Sequence, residues 1–320
     1  MKKLLLILLC LPMIGFGQVY IPDANFKAYL VGNSAINTNG DSEIQVSEAA
    51  AFNGTIDCYN MSINDLTGIE AFTSLTSLYC SYNQLTSLDV SGATALTYFI
   101  SGSNLLTSLD ISNNTALTNL DCHENQITSL DVSSNTALTN LYCSYNQLTS
   151  LDVSQNAVLS ELSCHDNQLT ILDVSNNTDL MYMDCSGNLL TTLDLSQNDS
   201  ISYFNFSDNI LLECMNLQNG NNCFISDLDT NGNPSLSCIA IDTLPYNGCP
   251  QFNSPPLGLM FTDCSNVSSC FSITDIKDLS NNKELLKVTD LLGRETKGTN
   301  NEVLFYIYDD GTVEKRIVIE

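Results

Sequence analysis

From Leu75 onward the apolar residues of this chain recur at a fixed interval, in the order Leu-x-x-Leu-x-Cys-x-x-Asn-x-Leu-x-x-Leu-Asp-Val. The copies beginning at Leu75 (LTSLYCSYNQLTSLDV), Leu117 (LTNLDCHENQITSLDV), Leu138 (LTNLYCSYNQLTSLDV) and Leu159 (LSELSCHDNQLTILDV) differ mainly at the x positions. Further copies start at Leu96, Leu180 and Ile201, so the seven starts are evenly spaced, and an opening unit from Ile56 joins the same ladder one position out of step. The Leu-x-x-Leu-x-Cys half alternates as a half-buried strand does, so it predicts a short parallel strand with leucine and cysteine inward, stacked about 4.8 Å from the next. The returning half is too short and too β-prone for a full helix, which predicts an extended or 3₁₀ segment and a flat stack. After Asn209 the pattern decays through Cys214, Cys223 and NGNPSLSCIAID.

Leucines at these offsets, on a period of roughly 20 to 29 residues, are the signature of a leucine-rich repeat, in which each unit buries its apolar edge only against its neighbours. The expected fold is mainly β with short helices: a leucine-rich repeat solenoid with its parallel β-sheet on the concave face, an N-terminal helical cap and a small β C-terminal domain. The expected boundaries are 1–17 (signal peptide), 18–55 (cap resembling an EF-hand), 56–245 (solenoid), 246–271 (C-terminal cap and linker) and 272–320. The asparagines Asn83, Asn104, Asn125, Asn146, Asn167, Asn188 and Asn209 are expected to bond backbone groups of the turn, satisfying polar atoms that burial would orphan. The segments IPDANFKAYL (21–30) and SINDLTGIEAFTSLTSL (62–78) resemble the cap and first repeat of bacterial internalins. That resemblance implies a non-enzymatic adhesin gripping its receptor on the concave sheet.

Charge narrows the partners. The formal net charge is -26, no lysine or arginine occurs between Lys27 and Lys277, and seven of the ten basic residues lie at or after Lys277. A surface without cations cannot neutralise phosphates or anionic headgroups, which argues against nucleic acid and membrane surfaces. Cationic groups, sugars and metal ions remain. Met1 to Gly17 reads as a secretory signal peptide, with Lys2 and Lys3 ahead of an apolar run and Gly15-Phe-Gly17 as cleavage site. That run is too short to span a bilayer, so no transmembrane segment is expected in the mature chain.

Of the thirteen cysteines, Cys58, Cys80, Cys122, Cys143, Cys164 and Cys185 share one inward strand position, where Ser101 and Phe206 stand in other copies. Stacked parallel side chains lack the facing geometry of a disulfide and the tetrahedral pocket of zinc, so these read as small buried hydrophobes. Cys214, Cys223, Cys238, Cys249, Cys264 and Cys270 fall in one atypical region of an exported chain, where disulfides are expected. Spacing does not select among their pairings.

Four sets of residues carry candidate chemistry. Asn37, Asn39, Asp41, Gln45 and Glu48 match the side-chain ligand spacing of an EF-hand loop, with a backbone carbonyl at Glu43, and make calcium the candidate cofactor; none is required. Asn37 replaces the usual first Asp and Ser42 the usual Gly, so any affinity would be weak, on the order of 10⁻⁴ to 10⁻³ M, and a cap that copies this shape without metal is the alternative. Asp89, Asp110, Asp131, Asp152, Asp173 and Asp194 recur once per repeat and read as turn-capping carboxylates. His123 and His165 sit two repeats apart, roughly 10 Å from each other, too far to share one metal ion. On the concave face, Tyr79, Tyr98, Tyr142, Tyr182 and Tyr203, with Tyr82 and Tyr145 just beyond, interleave with Asp121, Glu124, Glu161, Asp166, Asp184 and Asp208. Such a tyrosine row, joined by the histidines, has the composition of a recognition surface.

KVTDLLGRE (287–295) and FYIYDDGTVEKRIVI (305–319) resemble the C-terminal sorting domain of type IX secretion cargo, through Asp290, Gly293, Arg294, Gly311, Lys315 and Arg316. The resemblance implies engagement of that secretion machinery and display on the surface of a Gram-negative bacterium. Together these features predict an exported protein that binds a protein or glycan ligand and is not an enzyme. The alternatives are a structural surface-layer component and a non-catalytic accessory to a secreted hydrolase.

Overall fold

The computed structural model describes residues 17–220 and 231–241, with the backbone of three later strands at 285–289, 303–308 and 313–317. The chain divides into two units, Met1–Cys270 and Phe271–Glu320. The expected signal peptide, apart from Gly17, lies outside the described residues.

The first unit opens with α1 (Ala24–Gly32), capped by Asp23, whose carboxylate accepts the N–H groups of Asn25 and Phe26 at 2.9 and 3.0 Å. Two of a helix's orphan donors are thereby satisfied. Phe26 and Leu30 are its buried residues. The helix stops at Gly32, where Asn33 turns extended and donates its N–H to Leu30. The second helix, α2 (Val46–Ala51), starts from a capping box in which Gln45 and Glu48 bond each other's backbone N–H.

The repeats contribute nine strands: β1 (Thr55–Asp57), β2 (Ser77–Tyr79), β3 (Tyr98–Ile100), β4 (Asn119–Asp121), β5 (Asn140–Tyr142), β6 (Glu161–Ser163), β7 (Tyr182–Asp184), β8 (Thr192–Asp194) and β9 (Tyr203–Asn205). All except β8 lie in one eight-stranded parallel sheet, each strand beside its neighbour in the chain. The central residue of each strand is buried (Ile56, Leu78, Phe99, Leu120, Leu141, Leu162, Met183, Phe204) and its two neighbours face out, as the period of two requires. Just past the strand come the six ladder cysteines, all buried and unpaired to one another.

The asparagine that follows ties adjacent coils together. Asn146 Nδ2 donates to the carbonyls of Cys122, Cys143 and Ser144 at 3.0, 3.2 and 3.2 Å, while its Oδ1 accepts the N–H of Ile127 at 2.9 Å. Asn83, Asn104, Asn125, Asn167 and Asn188 repeat this pattern. A second asparagine column, Asn114, Asn135, Asn156, Asn177 and Asn198, runs through the returning half. Each Nδ2 bonds two carbonyls of the preceding coil, but each side-chain oxygen lacks a protein donor.

Among the described residues no α-helix forms in the returning half; its first coil carries a 3₁₀ turn at Ile69–Ala71. Its aspartates bend the chain instead, Asp131 Oδ1 accepting the N–H of Ser133 at 2.9 Å, with equivalent bonds at Asp89, Asp110, Asp152, Asp173 and Asp194. Towards the end of the unit the returning half becomes a strand. There β8 pairs in parallel with β10 (Cys214–Leu217), and β10 with β11 (Cys238–Ile241), a second sheet that the repeat pattern did not announce. Cys214 and Cys238 are disulfide-bonded and stand opposite one another in register; Cys223, Cys249, Cys264 and Cys270 lie outside the described residues.

The second unit contains an antiparallel sheet in the order β12 (Leu285–Thr289), β13 (Val303–Tyr308), β14 (Val313–Ile317). Lys315 and Arg316 fall on β14, whereas Asp290, Gly293, Arg294 and Gly311 lie outside the described residues. Among the described residues no helix is long and apolar enough to cross a membrane.

Burial disfavours the thiolate, and it pushes Cys58 and Cys143 up to about 12 and the other ladder thiols upward. The native chain at about pH 8 is therefore expected to leave these six thiols unreactive towards a disulfide reagent until it is unfolded. Between an ordinary thiol value of about 8.5 and the folded value of about 12, the unfolded state releases protons that the folded state keeps. Stability should fall as pH rises through that window, and less steeply in Cys143→Ala, as read from urea titrations.

Candidate functional site

The sheet register arranges the outward residues in columns. One column runs Ser77, Tyr98, Asn119, Asn140, Glu161, Tyr182, Tyr203, and the next runs Tyr79, Ile100, Asp121, Tyr142, Ser163, Asp184, Asn205. Instead of the single expected row, the strand tyrosines divide between these two columns on one face, because their positions differ by two along the strand. Beyond the ladder cysteine comes a third column holding His123 and His165. A fourth holds Tyr82, Ser103, Glu124, Tyr145, Asp166, Gly187 and Asp208, all with φ between 52° and 61°.

That fourth column is left-handed backbone, which glycine enters readily and which strains other residues by about 1 kcal/mol or more. The backbone demands it: the N–H of each of these residues reaches the next coil, as from Tyr145 to His165 at 3.0 Å and from Glu124 to Ser144 at 2.9 Å. Only Gly187 meets the demand without strain. Tyr82 and Tyr145 there are 50% and 54% exposed, above Tyr98 and Tyr203 at 44% and 49%. Sequence reasoning placed the two beyond the face and passed over Ser103 and Tyr59; Gly187, one glycine in a column of larger residues, was the available signal.

Contacts along the columns organise the face. Tyr182 and Tyr203 stack with ring centres 4.7 Å apart and planes 5° from parallel, Tyr145 meets His165 edge-on at 4.8 Å, and Tyr59 leans on Tyr82 at 5.2 Å. The Tyr142 hydroxyl donates to the Glu161 carboxylate and accepts from Asn140 Nδ2 at 3.3 Å. His123 Nδ1 lies 2.6 Å from Asp121 Oδ1, and that bond raises its pKa. The imidazole lies over Gly102, where any Cβ would collide with the ring. His165 Nδ1 contacts Asp166 Oδ2 at 2.9 Å, and Ser103 Oγ donates to Glu124 at 2.5 Å. Asp184 accepts from the Ser186 hydroxyl at 2.7 Å. Burial holds the phenols of Tyr142 and Tyr182 protonated above their ordinary range, and the Asp166 carboxylate does the same for Tyr145. The face therefore offers neutral hydroxyl donors beside carboxylates, with no positively charged side chain except a protonated histidine.

The loop over 37–48 has its oxygens committed elsewhere. Glu48 is buried; its Oε1 accepts the N–H groups of Thr38 and Asn39 at 2.8 and 3.1 Å and the Thr38 hydroxyl at 2.9 Å, and Oε2 accepts from Gln45 N–H at 2.9 Å. Burial raises its pKa, but these bonds outweigh burial and hold it below the ordinary range. Asn37 Oδ1 accepts from Gly40 and Asp41 Oδ1 from Glu43, while Asn39 and Gln45 amides donate to Asp41 Oδ2. Glu43 pairs with Lys27 at 2.7 Å. In this arrangement the side-chain oxygens of Asn37, Asp41 and Glu48 close the loop on amide donors. Among the described residues no group of three or more His, Cys, Asp or Glu side chains is disposed to hold a metal ion. On the returning side, a groove of 320 Å³ is lined by Asp65, Glu70, Asp89 and Asp110 among others. Hydrogen bonds from Ser91 and Ser112 hold Asp89 and Asp110 ionised, as turn caps.

Comparisons with known proteins point to the same repeat architecture. Residues 42–156 match the family of the Endo-beta-N-acetylglucosaminidase EndoS LRR domain. A stretch of 75 residues, 23% of the chain, is 39% identical to Internalin J of Listeria monocytogenes serotype 4b (strain F2365). This chain carries a leucine-rich repeat domain with internalin-like relatives. The matched stretch covers 8% of Internalin J. The solved functional domain of InlJ from Listeria monocytogenes, which includes a cysteine ladder, aligns at 32% identity over 76% of this chain and 64% of that one, with a TM-score of 0.41. An LRR protein of Leptospira interrogans aligns at 23% identity over 55% of this chain and 45% of that one, with a TM-score of 0.45.

Glu48→Gln replaces one charged acceptor oxygen with an amide donor that faces backbone N–H groups. It should lower stability by about 1–3 kcal/mol, with or without millimolar calcium in the buffer. A calcium-dependent melting temperature in the wild-type chain that Glu48→Gln abolishes would restore the metal reading of this loop.

Proposed function

We propose that the chain is an exported, surface-displayed recognition protein that holds a protein or glycan ligand on its concave sheet. The observation that carries this reading is the outward face itself: tyrosines, histidines and carboxylates in register on a rigid parallel sheet, in a region without lysine or arginine between Lys27 and Lys277. Tyrosine gives rigid contact area with a polar tip, and it is enriched where binding energy concentrates. An array of glycans and proteins probed with the full chain would supply the ligand. Tyr142→Ala with Tyr182→Ala should then weaken binding ten-fold or more, about 1.4 kcal/mol, while Ser154→Ala on the returning side should not. Equal effects from both sides would remove the concave face from consideration.

A second reading, a non-catalytic accessory to a secreted hydrolase, is favoured by the match of residues 42–156 to a repeat domain of an endoglycosidase. It would show as enhancement of a partner hydrolase with no turnover by the chain alone.

For the C-terminal unit we propose an export tag for type IX secretion, supported by the motif residues Asp290, Gly293, Arg294, Gly311, Lys315 and Arg316. Deleting residues 306–320 should strand the protein in the periplasm of a Gram-negative host. Normal surface display of the truncated chain would refute the tag.

A further inference from the structure

We propose that the concave face takes an extended cationic polypeptide, with lysine or arginine side chains spaced about 10 Å apart against Glu124, Asp166 and Asp208, in preference to a glycan. This rests on the concave-face reading above and names the partner's chemistry.

Two observations separate the candidates. The first concerns the aromatic rings. A sugar docks by laying its apolar C–H face on an open ring face. Here the ring faces are turned along the stack: Tyr182 and Tyr203 cover one face of each other, and Tyr145 and His165 meet edge to face. These contacts take up ring face that a sugar would use, while the hydroxyl tips suit hydrogen bonding to a polypeptide and the rings suit contact with its aliphatic stems. The edge of an aromatic ring is also the positive end of its quadrupole, so the carboxylates supply the attraction for cations.

The second observation is the charge pattern. Glu124, Asp166 and Asp208 share the left-handed column and are exposed, two coils apart, with Tyr145 and Gly187 between them. Two coils span about 9.6 Å. A polyproline II segment advances about 3.1 Å per residue, so every third side chain recurs at about 9.3 Å on one side. A segment of the form Lys-x-x-Lys-x-x-Lys meets the three carboxylates in step. Asp121, Glu161 and Asp184 on the adjoining strand columns deepen the negative field beneath it. No lysine or arginine of the region competes for these groups, so an incoming cation displaces water, the Ser103 hydroxyl on Glu124 and the His165 contact on Asp166.

The test uses the full chain and synthetic peptides. One carries Lys-Pro-Pro repeats, and the other has the same composition with its lysines in a block. Glu124→Gln/Asp166→Asn/Asp208→Asn is compared with Asp110→Asn/Asp152→Asn/Asp194→Asn, which removes the same charge from the returning side. Asparagine accepts the same turn-capping bond and tolerates left-handed backbone, so both variants should keep the wild-type melting curve. By fluorescence anisotropy at physiological salt, the spaced peptide should bind the wild type more tightly than the blocked one. The concave variant should lose about five-fold or more and the returning-side variant less than about two-fold. Equal losses in the two variants would mean unspecific attraction to an acidic protein and would overturn the proposal. Binding of neutral glycans that depends on Tyr142 and Tyr182 but not on the three carboxylates would overturn it too, while leaving the concave-face reading intact. Indifference of every probe to concave substitutions would sink both.

Discussion

The amide of one asparagine per coil is the interaction on which the rest of this solenoid depends. Each coil must end its strand, turn and return without leaving backbone groups stranded in an apolar stack. Asn146 does this by giving its two N–H bonds to carbonyls of its own coil and the preceding one, and by accepting from the backbone of the preceding coil. Its neighbours in the column do the same. The geometry leaves little freedom around it. The residue immediately before is left-handed and continues the N–H ladder, and the residue three before is buried, with its carbonyl facing the amide. Cysteine fits that slot, and Ser101 takes it in one copy with its hydroxyl near the Asp121 carbonyl at 3.4 Å. Phe206 takes it near the end, where it stacks on Phe204.

The second asparagine column shows by contrast what the first achieves. Asn114 to Asn198 donate well but leave their side-chain oxygens without protein donors, each a cost of about 1–3 kcal/mol if nothing else meets them. A column satisfied on both sides therefore holds the strand edge, and a half-satisfied one holds the return. The two edges differ accordingly: the sheet side keeps one register over eight strands, while the returning side changes from bends to strands at β8.

Much of this was legible because the repeat writes the same constraint several times over. The strands, the inward leucines and cysteines, the asparagine column and the bending role of the aspartates follow from position and residue type. Three features went unread. The helix-loop-helix at 23–51 carries ligand-type residues at EF-hand spacing, and within that spacing Gln45 and Glu48 also form a capping box. The split of the tyrosines between two columns was not drawn, although their offsets of two and four from the start of each repeat already contain it. The left-handed column escaped notice because tyrosine, serine and glutamate hold four of its seven places, residues that local propensity, unlike that of aspartate, would not put there.

That last mismatch bears on function. Local rules broken without local benefit mark places where something other than stability was selected, and the proper direction of inference runs from the outlier to the function. Gly187 shows that the fold itself accepts glycine at this position. Six other coils instead hold a side chain there at a cost in strain, and these side chains stand at the rim of the concave sheet beside His123, His165 and the strand tyrosines. Ring contacts and hydrogen bonds between coils, such as Tyr145 on His165 and Ser103 to Glu124, tie these side chains to one another. If this face is the binding surface proposed above, carboxylates and hydroxyls with no lysine or arginine among them would discriminate by charge before shape.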